Sequence, residues 1–359
     1  MDDTKSPLQI MTSTTRTCLW NDSASVRELE YSISQGAVGA TCNPVIVLHV
    51  LSKEMDLWRD RIKELITEMP TATEDEIGWR LVEEISQKGA ELLLPIFKEH
   101  NGKNGRLSIQ TDPRFYRDAD KMVEQAVHFS ELAPNMIVKI PATEAGIKAM
   151  EEATYRGVSI NATVSFAVPQ CISVAEAVEN GLRRREAEGK DISTMGPVCT
   201  IMVGRVDDWL RIVSEKENVI TDPGYLEWAG VAVFKEAYRL FQERKYRIRL
   251  LSAAFRNHMH WSEFIGGDVV ISPPYKWQVR YNGSDVEAVS RIDKPVDPAI
   301  VAELRKKFPD FVKTIDEHGM TPAEFDTYGP TLRTLRQFIE GCHELSNLIR
   351  DFMIPNPDV

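Results

Sequence analysis

One lysine stands inside a run that is otherwise apolar, Met136-Ile137-Val138-Lys139-Ile140-Pro141-Ala142. An ammonium drawn into such surroundings loses hydration, which lowers its pKa and exposes an amine lone pair able to attack a ketone or aldehyde and form an imine. The plainer alternative is a lysine that pairs with Asp112 or Asp22, or that snorkels to solvent at a strand end. Two arginines, Arg205 after Gly204 and Arg256 in Ala253-Ala254-Phe255-Arg256-Asn257, fall at the ends of later apolar runs. Their guanidinium forks suit a bidentate grip on an oxyanion, with structural bridges to Asp207, Asp208 or Asp268 as the alternative. Other runs end in polar residues that share a face by strand alternation: Asp22; Thr41 and Asn43; Ser108, Gln110 and Asp112; Asn161 and Thr163. Thr200, in a later run, is a further candidate contact. Burying such a ring is costly unless its members bind one another or a ligand.

Metal chemistry is poorly supplied. His258 and His260 are close in sequence but have no third ligand nearby, and none of the five cysteines forms a C-x-x-C pair. No metal site is expected, and reduced thiols are. The run Arg183-Arg184-Arg185 follows a helical segment and precedes Glu-Ala-Glu-Gly, which reads as a solvated helix end.

Residues placed in this way need strands to carry them. Short apolar or β-branched runs occur at 17–22, 38–43, 106–112, 136–142, 158–164, 198–205, 248–256 and 267–273. Segments of helical periodicity lie between most of them, and two helical stretches, about 51–68 and 74–99, form an insertion between the second and third. Eight strand–helix repeats, with no G-x-G-x-x-G and no P-loop, predict an α/β fold, a (β/α)8 TIM barrel. The expected organisation is a barrel over 1–275 with that insertion, then a C-terminal helical extension over 276–359, with helices near 298–318 and 331–352 packed across the barrel. Active sites of such barrels sit at the C-terminal strand ends, where this polar ring falls.

Composition narrows the class. With 43 basic and 54 acidic residues the formal charge is −11, which disfavours nucleic acid and anionic membrane surfaces as partners. No apolar run approaches the ~20 residues of a membrane span, and the N-terminal segment lacks a signal peptide's cationic start and apolar core. A cytoplasmic location is expected. A homo-oligomer is left open.

The same segments resemble the transaldolase family, which includes the smaller fructose 6-phosphate aldolases. GATCNPVIV (39–47) resembles its Ala-Thr-Thr-Asn-Pro segment, and IVKIPATEAGIKAM (137–150) its Schiff-base lysine strand. RGVSINATVSFAVPQ (156–170) is similar to the strand and helix start that follow, and IMVGRVDDW, DPG, SAAFRN and GGDVVISP continue the likeness in order, to Pro273. The resemblance implies a class I aldolase-type enzyme that needs no metal or other cofactor and takes sugars or sugar phosphates. Lys139 would form an imine with a ketose, and Asp22 would take the proton of the donor's C4 hydroxyl. Thr163 would orient a water for proton transfer, Asn43 and Asn161 would hold donor hydroxyls, and Arg205 and Arg256 would bind the phosphate. A three-carbon dihydroxyacetone unit would stay on the lysine until an aldose phosphate accepts it.

Three positions depart from the family pattern. Gln110 stands where transaldolases have a glutamate, Met202 where the small aldolases usually have a tyrosine, and Ala254 where a serine would give the oxyanion a hydroxyl. Gln110 resembles the aldolases, so release of dihydroxyacetone competes with its transfer, and a catalytically silent sugar-phosphate binder competes with both. The anion is a phosphate or another oxyanion such as a sulfonate.

Overall fold

A computed structural model describes residues 5–358. Residues 1–4 and 359, the outer ends of the two expected units and the start of the segment read for a leader, lie outside the described residues. Eight parallel strands close in chain order: β1 Cys18–Asn21, β2 Ala37–Thr41, β3 Arg106–Gln110, β4 Met136–Pro141, β5 Ile160–Thr163, β6 Val198–Met202, β7 Arg249–Ala253 and β8 Val270–Ile271. The short β8 pairs with both β7 and β1, which completes the (β/α)8 barrel. Each strand overlaps one of the eight apolar runs, and the helices between them supply the crossovers that parallel neighbours need.

Alternation along the strands divides two cores. Outward residues such as Leu107, Ile109, Val138 and Ile140 pack under the helices, while Trp20, Ile137, Val198, Leu251 and Val270 fill the interior as a separate apolar plug. Gly39 admits the Trp20 ring, since a Cβ there would come within 2.4 Å of it. Towards the N-terminal end, Arg106 is buried and spends its donors on the Gly102 and Met136 carbonyls at 2.9 and 3.4 Å and on Thr194 O. Those donors are closed by backbone; at the other end of the barrel the polar residues surround an open cavity.

The connections are more broken than periodicity predicts. The insertion consists of helices Pro44–Glu68 and Glu74–Glu99. The first starts at 44 rather than near 51, because Asn43 accepts from the Ile46 N–H at 2.8 Å as N-cap and Pro44 sets the first turn. It kinks at Glu54, whose buried carboxylate turns aside to accept from Ser25 Oγ at 2.6 Å and the Arg27 N–H at 3.3 Å. Helix Glu74–Glu99 begins with a capping box in which Thr73 and Glu76 satisfy each other's backbone N–H. The stretch expected over 298–318 is two helices, Pro298–Lys307 and Pro309–Ile315, interrupted where Pro309 follows Phe308. Helix Pro7–Thr14 and the short Tyr275–Asn282 were not expected from the periodicity. The last helix, Gly329–Met353, packs on both insertion helices. No helix among the described residues is long and apolar enough to cross a membrane.

Candidate active site

Strand register sets the polar layer. Gln110, Lys139 and Asn161 are successive partners across β3, β4 and β5, so all three face the barrel interior at one level. Above them a cavity of about 330 Å³ opens at the C-terminal strand ends. It is lined by Asp22, Asn43, Lys139, Thr163, Thr200, Met202 and residues 253–256, with Arg205, His49, Gln337 and Phe338. A larger hollow, about 560 Å³, lies outside the barrel, and two of the cations lining it are already paired, Lys235 with Glu263 at 2.8 Å and Arg239 with Glu236 at 2.7 Å.

Lys139 is 6% exposed, and its burial lowers the amine pKa while the Asp22 charge partly opposes the shift. Asp112 does not pair with it: that carboxylate accepts from the Arg114 N–H and holds the Arg114 guanidinium, at the start of a single 3-10 turn. Asp22 lines the cavity and accepts from Thr41 Oγ1 at 2.5 Å, which orients its carboxylate from behind. Asn161 donates to Ser108 Oγ at 3.0 Å and accepts from Thr200 Oγ1 at 2.7 Å, leaving one N–H and one lone pair uncommitted. Asn43 uses its oxygen as a helix cap and keeps its NH2. Thr41, Gln110 and Asn161 are thus a supporting layer, and Gln110 Oε1 is buried with no partner.

The two arginines converge, though not as strand residues. β6 ends at Met202, so Arg205 lies in the first turn of helix Val203–Lys216, and Arg256 follows β7 in a loop. Gly204 allows the approach, because a Cβ there would sit 2.0 Å from the Ala254 carbonyl oxygen. Ala254 itself holds φ +64°, a left-handed conformation that costs an alanine about 1–2 kcal/mol. Arg205 is half-buried, with its Nε enclosed and unpartnered and the Phe338 ring 5.8 Å away; burial, then the Arg256 charge, lower its pKa to about 10, so it stays charged at neutral pH. Arg256 pairs with Asp208 at 2.7 Å, one of the bridges left open by the sequence, and that leaves Arg205 as the less neutralised cation. Helix Val203–Lys216 starts without a side-chain cap, and a helix N-terminus favours negative charge. An amine and two guanidiniums lining one cavity suit a carbonyl compound with an anionic tail.

A family model described as Transaldolase/Fructose-6-phosphate aldolase matches residues 19–318. The chain belongs to the transaldolase and fructose-6-phosphate aldolase family. It is similar to the transaldolase of Kocuria rhizophila, 33% identical over 212 residues that make up 58% of this chain and 57% of that one. Transaldolases of Mycobacterium ulcerans, 30% identical over 224 residues, and Thermobifida fusca, 31% over 211, match similarly. The match spans about 56–57% of the length of these relatives.

Within the family frame, sequence reading missed the residues of the cavity mouth. His49 comes from the insertion helix Pro44–Glu68, and Gln337 and Phe338 from helix Gly329–Met353. The amphipathic spacing of Phe338, Gly341, Cys342 and Leu345 marks a packed face but not its partner. Arg183 is exposed and Arg184 pairs with Glu151 and Glu152 as a helix end should, whereas Arg185 is half-buried and donates to the Tyr155 and Asp191 carbonyls. All five cysteines are free.

Proposed function

We propose that this transaldolase-family barrel is a lysine Schiff-base enzyme that transfers a three-carbon dihydroxyacetone unit from a ketose phosphate donor to an aldose phosphate acceptor. The observation that carries the reading is the buried Lys139, whose environment favours the neutral amine, in one cavity with Asp22 and the Arg205–Arg256 pair. Lys139 Nζ attacks the donor's C2 carbonyl, and loss of water from the carbinolamine gives the imine. Asp22 takes the proton of the C4 hydroxyl as the C3–C4 bond breaks, the aldose leaves, and the bonding electrons remain on the lysine adduct as an enamine. The enamine adds to the acceptor aldehyde, Asp22 returns its proton, and water releases the new ketose. Thr163 and Thr200 orient water or hydroxyls at the imine, Asn43 holds donor hydroxyls, and Asn161 acts from below by accepting from the Thr200 hydroxyl and fixing its direction.

Fructose 6-phosphate with erythrose 4-phosphate tests this: exchange of the three-carbon unit supports it, and binding without turnover contradicts it. Slow release of dihydroxyacetone would instead favour the aldolase reading, for which Gln110 is the specific observation, because at this position the chain resembles the small aldolases rather than the transaldolases.

Two expected outcomes follow for side chains at the cavity edge. Arg205→Ala and Arg256→Ala each raise KM for a phosphorylated donor about ten- to a hundred-fold, the ~1.5–3 kcal/mol of a lost charge-assisted contact, with little change for the unphosphorylated analogue. Equal losses for both donors would return the arginines to a structural role. Gln110→Glu supplies a carboxylate beside Lys139. It should speed imine formation by at least ~10-fold as a proton acceptor, while its charge, like that of Asp22, raises the Lys139 pKa and moves the midpoint of the pH–rate profile upward. An unchanged pH profile would place the proton shuttle elsewhere.

A further inference from the structure

Directly behind the two arginines the fold buries a histidine and a carboxylate that no step above uses. His260 and Asp207 are both 0% exposed, and His260 Nε2 lies 2.9 Å from Asp207 Oδ2, off the line of a straight hydrogen bond. Asp207 Oδ1 accepts from the Gly230 N–H at 2.9 Å. The other ring nitrogen, Nδ1, accepts from the backbone N–H of Arg256 at 3.1 Å. A nitrogen that accepts carries no proton, so the neutral ring must hold its proton on Nε2, facing the carboxylate. The next residue, Asp208, grips the Arg256 guanidinium at 2.7 Å, and Arg205 stands two residues before Asp207 on the same helix. Arg256 is therefore held twice from one helix, its side chain by Asp208 and its backbone by Asp207 through His260. The second hold acts two residues after the strained Ala254, where the backbone most needs fixing.

We propose that Asp207 and His260 form a positioning pair for the anion site: Asp207 selects the Nε2-protonated tautomer of His260, and the free Nδ1 anchors the Arg256 backbone so that the guanidiniums of Arg256 and Arg205 meet on the substrate's anionic group. The proposal rests on the anion role given to these arginines above. It makes Asp207 matter by charge pattern rather than by volume. Asparagine in its place would fit the space, but whichever way its amide turned, its NH2 would face a donor, either the Gly230 N–H or the His260 Nε2–H. Relief by moving the ring proton to Nδ1 would set it against the Arg256 N–H and push that backbone away.

The test combines a spectroscopic and a binding readout. In the wild-type protein the side-chain ¹⁵N resonances of His260 should report a ring protonated at Nε2 and bare at Nδ1. Asp207→Asn should raise KM for the phosphorylated donor, and Kd for inorganic phosphate, about ten-fold, the effect of one weakened charge-assisted contact. kcat and KM for the unphosphorylated donor should stay within about two-fold. A wild-type ring protonated at Nδ1, or at both nitrogens, overturns the proposal without any variant, which covers a variant that fails to fold. Equal losses for both donors, or unchanged phosphate affinity, overturn it as well. Phosphate titration does not depend on turnover, so if the wild-type protein forms no sugar adduct the catalytic reading falls alone and this proposal is still decided.

Discussion

Lys139→Arg eliminates turnover. A guanidinium remains protonated at any working pH and has no amine to offer a carbonyl, so the loss should reach at least ~10⁴-fold, well inside the roughly 10⁶-fold or larger accelerations enzymes provide. Burial sets a second expectation for the wild-type residue. Because it lowers the amine pKa, the rate of imine formation should rise with pH through a midpoint below the ~10.4 of an ordinary lysine and level off above it. Stopped-flow trapping with a ketose donor measures both. Undiminished activity in the arginine variant, or a midpoint at the ordinary value, would remove Lys139 from the centre of the reaction.

Asp22→Asn should divide the reaction in two. An asparagine oxygen can still accept from the Thr41 hydroxyl, so the position stays ordered, but the base for the C4 hydroxyl is gone. Carbon–carbon cleavage should fall by roughly 10²–10⁴-fold, the usual share of general acid–base catalysis. Imine formation should be preserved at neutral pH, because Asp22 raises the Lys139 pKa and removing its charge lets the amine lose its proton more easily. Release of aldose against the amount of trapped adduct separates the steps. Loss of the adduct as well as of cleavage would show that Asp22 serves the lysine rather than the substrate.

The parts of this site that came from the sequence are those a single strand determines. Lys139 was legible because every other residue of its run, 136–142, is apolar, and the polar ends of β2, β3 and β5 followed from alternation alone. Arg205 was placed one element too early, since the apolar run Val198–Met202 continues without a breaker into the helix that starts at Val203. Partnerships between distant segments were not legible. Nothing local tells His260 that it will meet Asp207, or Gln337 and Phe338 that they will stand at the mouth of the cavity. The division of Thr41, Gln110 and Asn161 from the residues that touch the cavity depends on depth in the barrel, which alternation does not measure.

Borohydride reduction addresses the central claim most directly. Treating the protein with fructose 6-phosphate and borohydride converts an imine into a stable secondary amine, and peptide mass mapping then shows which lysine carries the sugar-derived group. The account predicts one modified site, Lys139, with its labelling abolished in Lys139→Arg. An adduct on another lysine, or none under conditions where the protein turns the sugar over, would contradict it.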